Sequence, residues 1–188
     1  MRYVLGVDLG VTNIVTGAVA EDGSAVLGVR SGPTRPEEGA DAVVARIAEL
    51  CRLSIGEAAM HGGDAAKIAG VGIGSPGPLD REKGLVLITP NLGWKNFPLR
   101  DKVSDALGLP ATLDNDANCA VFGEYWMGAG RGSRHLVGLT IGTGIGGGIV
   151  IDGQLYHGTS DAAGEIGHTT IDSTGRRCKC GNYGCLEA

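Results

Sequence analysis

The first third of the chain groups its apolar residues into short runs separated by polar and glycine-rich breaks. Residues 3–7 are β-branched or aromatic at the spacing of a strand, and two further strands are predicted at 13–20 and 24–30. Residues 37–60 then switch to helical spacing, with apolar side chains at Val43, Ile47, Leu50 and Cys51. The opening is therefore predicted to be three strands followed by a helix.

The middle of the chain alternates between the two kinds of element. A buried strand is predicted at 67–74, an amphipathic helix at 99–107 that stops at Gly108, a short strand at 111–113 and a helix at 116–126. Strands that alternate with helices favour a mixed sheet covered by helices. The predicted fold class is α/β.

The strand–glycine–strand opening recurs about 130 residues later. Residues 136–141 and 147–151 are predicted strands on either side of a glycine-rich segment, as residues 3–7 and 13–20 are. The recurrence indicates an internal duplication or, alternatively, two unrelated glycine-rich hairpins. With duplication, an N-terminal lobe would cover residues 1–112, and 113–188 would begin a second lobe.

Composition narrows the class of protein. Hydrophobic residues make up 43% and charged residues 20%, as in an ordinary globular protein. The net charge of −5 argues against nucleic acid and membrane surfaces as partners, since both favour basic proteins. The longest uncharged run, 136–151, is shorter than the roughly 20 residues of a spanning helix. With five cysteines, an odd number, the expectation is a soluble protein of the reducing cytoplasm.

Glycine is the unusual component, at 34 of 188 residues, and two glycine turns stand where predicted strands end. Such turns let backbone N–H groups approach phosphate oxygens, and an adjacent acid can organise Mg²⁺ through water. Neither turn is a P-loop, because no Gly-Lys-Ser/Thr follows, and either could simply close a hairpin. The candidate phosphate-binding residues are Asp8, Gly10, Thr12 and Asn13 in the first, and Gly142, Thr143, Gly144 and Gly146 in the second.

A cysteine cluster near the C-terminus predicts a metal centre. Cys178, Cys180 and Cys185 fall within eight residues, and His168 completes a Cys₃His set typical of structural zinc. Four protein ligands make a closed site, which is structural and not catalytic. The alternative is three free thiols in a glycine-rich loop.

Several polar residues lie where helices and strands are poorly favoured. Asn115 and Asp116 stand at a predicted helix start, where they could equally be capping residues. Asn91 follows a proline and lies two residues before Gly93, Glu165 follows Gly164, and Glu187 follows Cys185 by two residues. Together they supply the donors and acceptors that a polyhydroxyl substrate needs.

These motifs resemble those of the ROK family (repressors, open reading frames and sugar kinases), and the resemblance covers residues 4–188. Its most specific parts are residues 115–118, 142–148, 164–168 and the run from Cys178 to Glu187. The resemblance implies an actin-like ATPase (ribonuclease H-like) fold with one complete lobe plus the start of the second, and ATP-dependent phosphorylation of a hexose, most of all glucose.

Residue roles follow from the same resemblance. Asp116 matches the catalytic base. The sugar-contacting positions match Asn91, Asn115, Glu165, His168 and Glu187, the two glycine turns match the ATP- and Mg²⁺-binding motifs, and His168 with the three cysteines matches the Zn²⁺ site. The first turn departs from the family pattern, with Val11 at the position of a second glycine.

The resemblance leaves alternatives open. An N-acetylhexosamine kinase of the same family and a non-enzymatic sugar-binding regulator share most of these residues. Family members extend well beyond residue 188, so the adenosine pocket and the rest of the second lobe are expected to lie outside this sequence. An uncovered apolar sheet face that includes Leu139, Ile141, Ile149 and Ile151 makes a homo-oligomer the expected assembly.

Overall fold

The computed structural model describes residues 1–60, 67–142 and 144–188. They form two compact units, Met1–Asp116 and Ala117–Ala188, called here unit 1 and unit 2. The strands and helices are, in chain order, β1 (Tyr3–Leu9), β2 (Asn13–Ala20), β3 (Val26–Pro33), α1 (Ala40–Met60), β4 (Ile68–Ser75), β5 (Leu79–Asp80), β6 (Leu85–Thr89), β7 (Trp94–Phe97), α2 (Leu99–Leu107), β8 (Ala111–Asn115), α3 (Asp116–Met127), β9 (Leu136–Ile141), β10 (Ile145–Ile151) and β11 (Gln154–Leu155), with single 3₁₀ turns at Pro36–Glu38 and Ile166–His168.

Unit 1 is built on a five-stranded sheet in the order β3-β2-β1-β4-β8. The first three strands pair antiparallel, and β4 and β8 run parallel to β1. In β1 every second side chain is buried, which is the alternation that makes this segment a strand with one face in the core. The parallel arrangement brings the carboxyl ends of β1, β4 and β8 to the same edge.

The predicted elements of unit 1 are present, with shifted boundaries. β3 extends to Pro33, which an edge strand tolerates at its end because the missing N–H faces no partner. The helix begins at Ala40 and not at residue 37, because Gly39 adopts φ 94° and separates it from the 3₁₀ turn.

A second sheet of unit 1, in the order β5-β6-β7, was not predicted from the sequence. β5 has only two residues, and Asn96 in β7 adopts φ 49°, so neither strand shows a clear alternation. Within β7 the ring of Trp94 packs against Phe97 at a centroid distance of 4.6 Å. Leu79, Val86 and Trp94, one from each strand, are buried in the core cluster of unit 1, which is the tertiary contact of this sheet.

Unit 2 contains α3, the three-stranded sheet β11-β10-β9 and an irregular C-terminal segment. Val121 of α3 lies so close to β9 and β10 that a Cβ added at Gly138 or Gly148 would meet it at 2.5 and 2.9 Å. Glycine in these strands therefore makes room for the helix. Val137, Leu139 and Ile141 of β9 are exposed, an apolar face of the kind predicted from the sequence.

Both predicted glycine hairpins are present, as β1–β2 and β9–β10. The second differs from the prediction in that β10 begins at Ile145 and not at residue 147, so Gly146 pairs with Thr140 inside the ladder. Among the described residues no helix is long and apolar enough to cross a membrane.

Candidate active site and metal centre

The first glycine turn is a tight connection between β1 and β2. The Gly10 N–H donates to the Asn13 carbonyl at 2.9 Å, and a Cβ at Gly10 would lie 2.8 Å from that same oxygen. Glycine is thus required at residue 10 by a close backbone approach. Thr12 and Asn13 are exposed on this turn.

Thr34, which sequence reasoning missed, holds the first turn from outside. Its side chain is fully buried, its hydroxyl donates to the Gly10 carbonyl at 2.7 Å, and its N–H donates to the Thr12 carbonyl at 2.8 Å. A threonine after a strand carries no local signal for this role, because its partners are more than 20 residues away in sequence.

Two predicted acids of unit 1 influence each other. Asp8 lies in β1 opposite Gly74 of β4, and Gly74 in turn pairs with Asp114 of β8, just before Asp116. Although the Asp8 side chain reaches solvent, partial desolvation raises its pKa, and the negative charge of Asp116 raises it further. The sheet therefore brings both carboxylates to one edge, where a cation would relieve their repulsion.

The neighbouring strand end is held by an ion pair that the sequence did not reveal. Asp114 accepts a hydrogen bond from the Asn115 N–H at 2.8 Å, and its carboxylate lies 3.1 Å from Nε of Arg81. Asn91 is exposed in the turn between β6 and β7. Asn115 and Asp116 are half-buried, at the end of β8 and the start of α3.

The second glycine turn belongs to unit 2. The Gly142 N–H donates to the Gly144 carbonyl at 2.9 Å, and the Ile145 N–H donates to Oε2 of Glu187 at 2.8 Å. Gly146 serves packing, since a Cβ there would meet the Cβ of Ala117 at 2.7 Å. Thr143, also predicted for this turn, lies outside the described residues.

The predicted metal ligands converge. One ligand atom from each of His168, Cys178, Cys180 and Cys185 lies within 4.8 Å of the others. Sγ of Cys180 is 3.6 Å from Sγ of Cys185, and Sγ of Cys178 is 3.8 Å from Nδ1 of His168. Two sulfurs each about 2.3 Å from a tetrahedral zinc stand about 3.8 Å apart, so these residues fit the ion.

Cys180 and Cys185 of this cluster differ in their electrostatic surroundings. The Asn182 N–H, donating to Cys180, lowers the pKa of that thiol. Burial raises the pKa of Cys185 to about 12. Because a metal binds the thiolate, binding must displace the Cys185 proton, and the affinity of the site for metal should fall at low pH.

Glu187 and His168 are joined through the backbone of the same segment. The Glu187 N–H donates to the Gly167 carbonyl at 3.0 Å, and the Leu186 N–H donates to the Thr169 carbonyl at 3.0 Å. Glu165 is exposed immediately before the 3₁₀ turn that ends at His168. All three predicted sugar contacts of unit 2 thus lie on residues 164–187, called here the metal-binding segment. Glu165 directly precedes the turn that carries His168.

The chain matches known proteins along nearly its whole length. The sequence pattern described as "ROK family" matches residues 4–188. The glucokinase of Thermotoga maritima is 46% identical over 187 residues, which are 98% of this chain and 56% of that protein. The chain thus spans a little over half the length of this relative.

Solved structures agree in fold. The ROK hexokinase of Thermus thermophilus superposes with a TM-score of 0.86 at 38% identity, covering 99% of this chain and 59% of that one. A ROK family glucokinase from Streptomyces griseus, solved in complex with glucose and AMPPNP, gives 0.81 at 39% identity, with 98% and 56% covered. The prediction of an actin-like ATPase fold is confirmed by these neighbours.

Proposed function

The chain belongs to the ROK family, and on that premise we propose that it serves the ATP-dependent phosphorylation of a hexose, with glucose as the preferred substrate. The observation that carries the proposal is its 39% identity to a glucokinase solved with both glucose and AMPPNP. The 46% identity to the Thermotoga maritima glucokinase supports the same activity.

Unit 1 contributes the acid–base and metal chemistry. Asp116 accepts the proton of the attacking sugar hydroxyl as that oxygen approaches the γ-phosphorus. Asp8 lies at the same sheet edge, and the mutual repulsion of the two carboxylates makes them suited to a Mg²⁺ ion that ATP brings. Gly10, Thr12 and Asn13 offer backbone and hydroxyl groups to phosphate oxygens, and Asn91 and Asn115 offer amides to sugar hydroxyls.

Unit 2 contributes the second phosphate-binding turn and further sugar contacts. The described residues of that turn are Gly142, Gly144 and Gly146, and the sugar contacts are Glu165, His168 and Glu187. His168 can do both of its proposed tasks, because an imidazole bound to zinc through one nitrogen presents an N–H at the other. The zinc supplies folding free energy to the segment and takes no part in the chemical step.

Phosphoryl transfer needs positioning and charge stabilisation more than covalent chemistry, which is consistent with this set of groups. A proton acceptor such as Asp116 contributes typically ~10²–10⁴-fold. The amides and hydroxyl of the glycine turns and the Mg²⁺ bound near Asp8 would hold the charge that spreads over the transferring group.

The test is a coupled assay of ADP release with glucose, mannose, fructose and N-acetylglucosamine. It is run on this chain and on a chimera that adds the remaining C-terminal part of the 46%-identical glucokinase. We expect the chimera to use glucose best and to require Mg²⁺. Glucose binding without turnover by the chimera would favour a sugar-sensing regulator, and preference for N-acetylglucosamine would favour an N-acetylhexosamine kinase.

A further inference from the structure

One carboxylate in unit 2 occupies a position that the proposed roles do not explain. Oε2 of Glu187 accepts a hydrogen bond from the N–H of Ile145, the first residue of β10, at 2.8 Å. The two residues are 42 positions apart in sequence. A sugar-contacting acid would be expected to keep its oxygens for hydroxyl groups, yet here one oxygen is bound to the backbone where the second glycine turn enters its strand.

Three glycines around this contact leave no room for a side chain. A Cβ at Gly144 would clash with Oε2 of Glu187, although Gly144 does not adopt a positive φ. A Cβ at Gly167, in the 3₁₀ turn, would clash with the carbonyl oxygen of Ile145. A Cβ at Gly147 would lie 2.6 Å from the Gly164 carbonyl. These three glycines let the metal-binding segment and the start of β10 pack backbone against backbone.

The position of Glu187 is in turn set by the metal-binding segment. Glu187 follows Cys185 by two residues, and its N–H is bound by the carbonyl of Gly167, the residue before His168. Two of the four metal ligands therefore flank the backbone that carries this carboxylate. Backbone hydrogen bonds and a β-bridge between Thr170 and Cys185 join the two stretches that carry these ligands. The ligand side chains themselves meet one another through weak sulfur and imidazole contacts, which an ion would replace with coordinate bonds.

We propose that Glu187 is a positioning residue for the start of β10: its carboxylate fixes the Ile145 amide, so that metal occupancy in the Cys₃His cluster sets the order of Gly144 and Ile145. The order of this backbone does not depend on the proposed function. An effect of this backbone order on phosphate binding rests on the proposed function, since only then do the neighbouring amides receive phosphate oxygens.

The experiment is amide hydrogen exchange on the 188-residue chain, resolved to Ile145, with zinc content measured on the same samples. In Glu187→Ala we expect zinc to be retained and the Ile145 amide to exchange at least roughly tenfold faster, because a hydrogen bond to a charged acceptor is lost. Glu187→Gln keeps an acceptor oxygen and should restore much of the protection. Removal of zinc by a chelator should speed exchange at Ile145 in the wild-type chain, with exchange in β1 and β2 unchanged.

A matched control comes from a second carboxylate of unit 2. Oε2 of Glu124 accepts the Ala129 N–H at 2.9 Å, away from the metal ligands. Glu124→Ala should speed exchange at Ala129 and leave Ile145 unchanged. If Glu124→Ala speeds exchange at Ile145 as much as Glu187→Ala does, or if Glu187→Ala leaves Ile145 unchanged, the proposal is wrong.

Gly144→Ala gives an independent variant that leaves the metal-binding segment intact. Its added Cβ should displace the Glu187 carboxylate and reproduce the fast exchange of Glu187→Ala, and the double variant should be no faster than either single one. Additive effects of the two substitutions on exchange at Ile145 would contradict the proposal. If Glu187→Ala loses its zinc, the result for Gly144→Ala tests the proposal in its place.

Binding of AMPPNP to the same variants separates the effect on backbone order from the effect on phosphate binding. Weaker binding in Glu187→Ala and Gly144→Ala, alongside faster exchange, supports the link to phosphate binding. Faster exchange with no AMPPNP binding in any variant, wild type included, leaves the positioning role supported and removes the nucleotide consequence along with the proposed function.

Discussion

The two glycine turns of this chain resemble each other in sequence but are held by different chemistry. In unit 1, the turn at Gly10 is fixed by a buried neutral hydroxyl, that of Thr34. In unit 2, the strand that follows Gly144 is fixed by a carboxylate, that of Glu187. The first is held by a residue in the core of its unit, whereas the second is held by the segment that carries the proposed metal ligands.

Two turns with a shared motif can therefore owe their stability to different sources. Unit 1 has a large core beneath its five-stranded sheet, with Leu5, Leu9, Ile14 and Ile47 fully buried. Unit 2 is smaller and rich in glycine, and among its described hydrophobic residues only a few are buried, including Val121, Val150 and two cysteines. A small unit with little apolar core commonly relies on a structural metal.

The largest expected effect is that of breaking the metal centre. Cys180→Ala should abolish the expected binding of about one zinc per chain and disorder residues 164–187, because structural zinc supplies on the order of 10 kcal/mol in small zinc modules. Elemental analysis and limited proteolysis measure both results. Cys119→Ala, at an exposed cysteine outside the cluster, should keep the zinc. Full metal occupancy in Cys180→Ala would contradict the assignment.

Next in size is the removal of the proposed base at the end of unit 1. In the chimera, Asp116→Asn should lower kcat by ~10²–10⁴-fold with little change in glucose affinity, since asparagine keeps the shape but accepts no proton. Steady-state kinetics and calorimetric glucose binding check the two parts. Asp105→Asn, an exposed acid on α2, should leave kcat unchanged. A near-normal kcat in Asp116→Asn would show that Asp116 is a helix-capping residue and not the proton acceptor.

A smaller effect is expected from the hydroxyl that holds the first turn. Thr34→Val removes the donor to the Gly10 carbonyl and should lower the free energy of unfolding of unit 1 by about 1–3 kcal/mol. Thr34→Ser keeps the hydroxyl and should lose less. Urea unfolding followed in β1 and β2 gives the measurement, and zinc chelation should not alter it. If zinc chelation changed the unfolding free energy of unit 1, the stability of the first turn would depend on metal as that of the second is proposed to do.

The smallest effect concerns the pH dependence of stability at Asp8. The folded state raises its pKa, so ionisation costs stability as the pH rises through that value. Asp8→Asn should therefore be more stable than wild type at pH 7, and the advantage should vanish below the unfolded pKa of about 3.9. Urea unfolding between pH 3 and pH 8 tests this.

In the same unit, the pKa of Asp22 is shifted in the opposite direction from that of Asp8, so the effect of pH on stability is also opposite. The Ser24 hydroxyl and N–H lower its pKa, so its carboxylate stabilises the fold above the unfolded pKa and this contribution disappears as the pH falls through the lowered value. Asp22→Asn should be slightly less stable at pH 7. Equal shifts of the same sign in both variants would show that the change of net charge alone matters.

Much of the fold was accessible from local pattern. The alternation in β1, the helical spacing of Val43, Ile47 and Cys51, and the strand at residues 136–141 are all confirmed. The β5-β6-β7 sheet was missed, because its strands are short and Asn96 interrupts their alternation. The start of β10 was misplaced because glycine carries little strand signal, although Gly146 and Gly148 lie in the ladder.

The local sequence shows which chemical groups the site can use. They are acids at the ends of strands, glycines at the turns, and three cysteines and a histidine whose spacing allows a closed metal site. These are properties of residues near one another along the chain. Folding is what brings Thr34 to Gly10, Arg81 to Asp114, and the Glu187 carboxylate to the Ile145 amide. Such contacts join residues 24 to 42 positions apart, or strands that meet only in the folded sheet, so no local pattern specifies them.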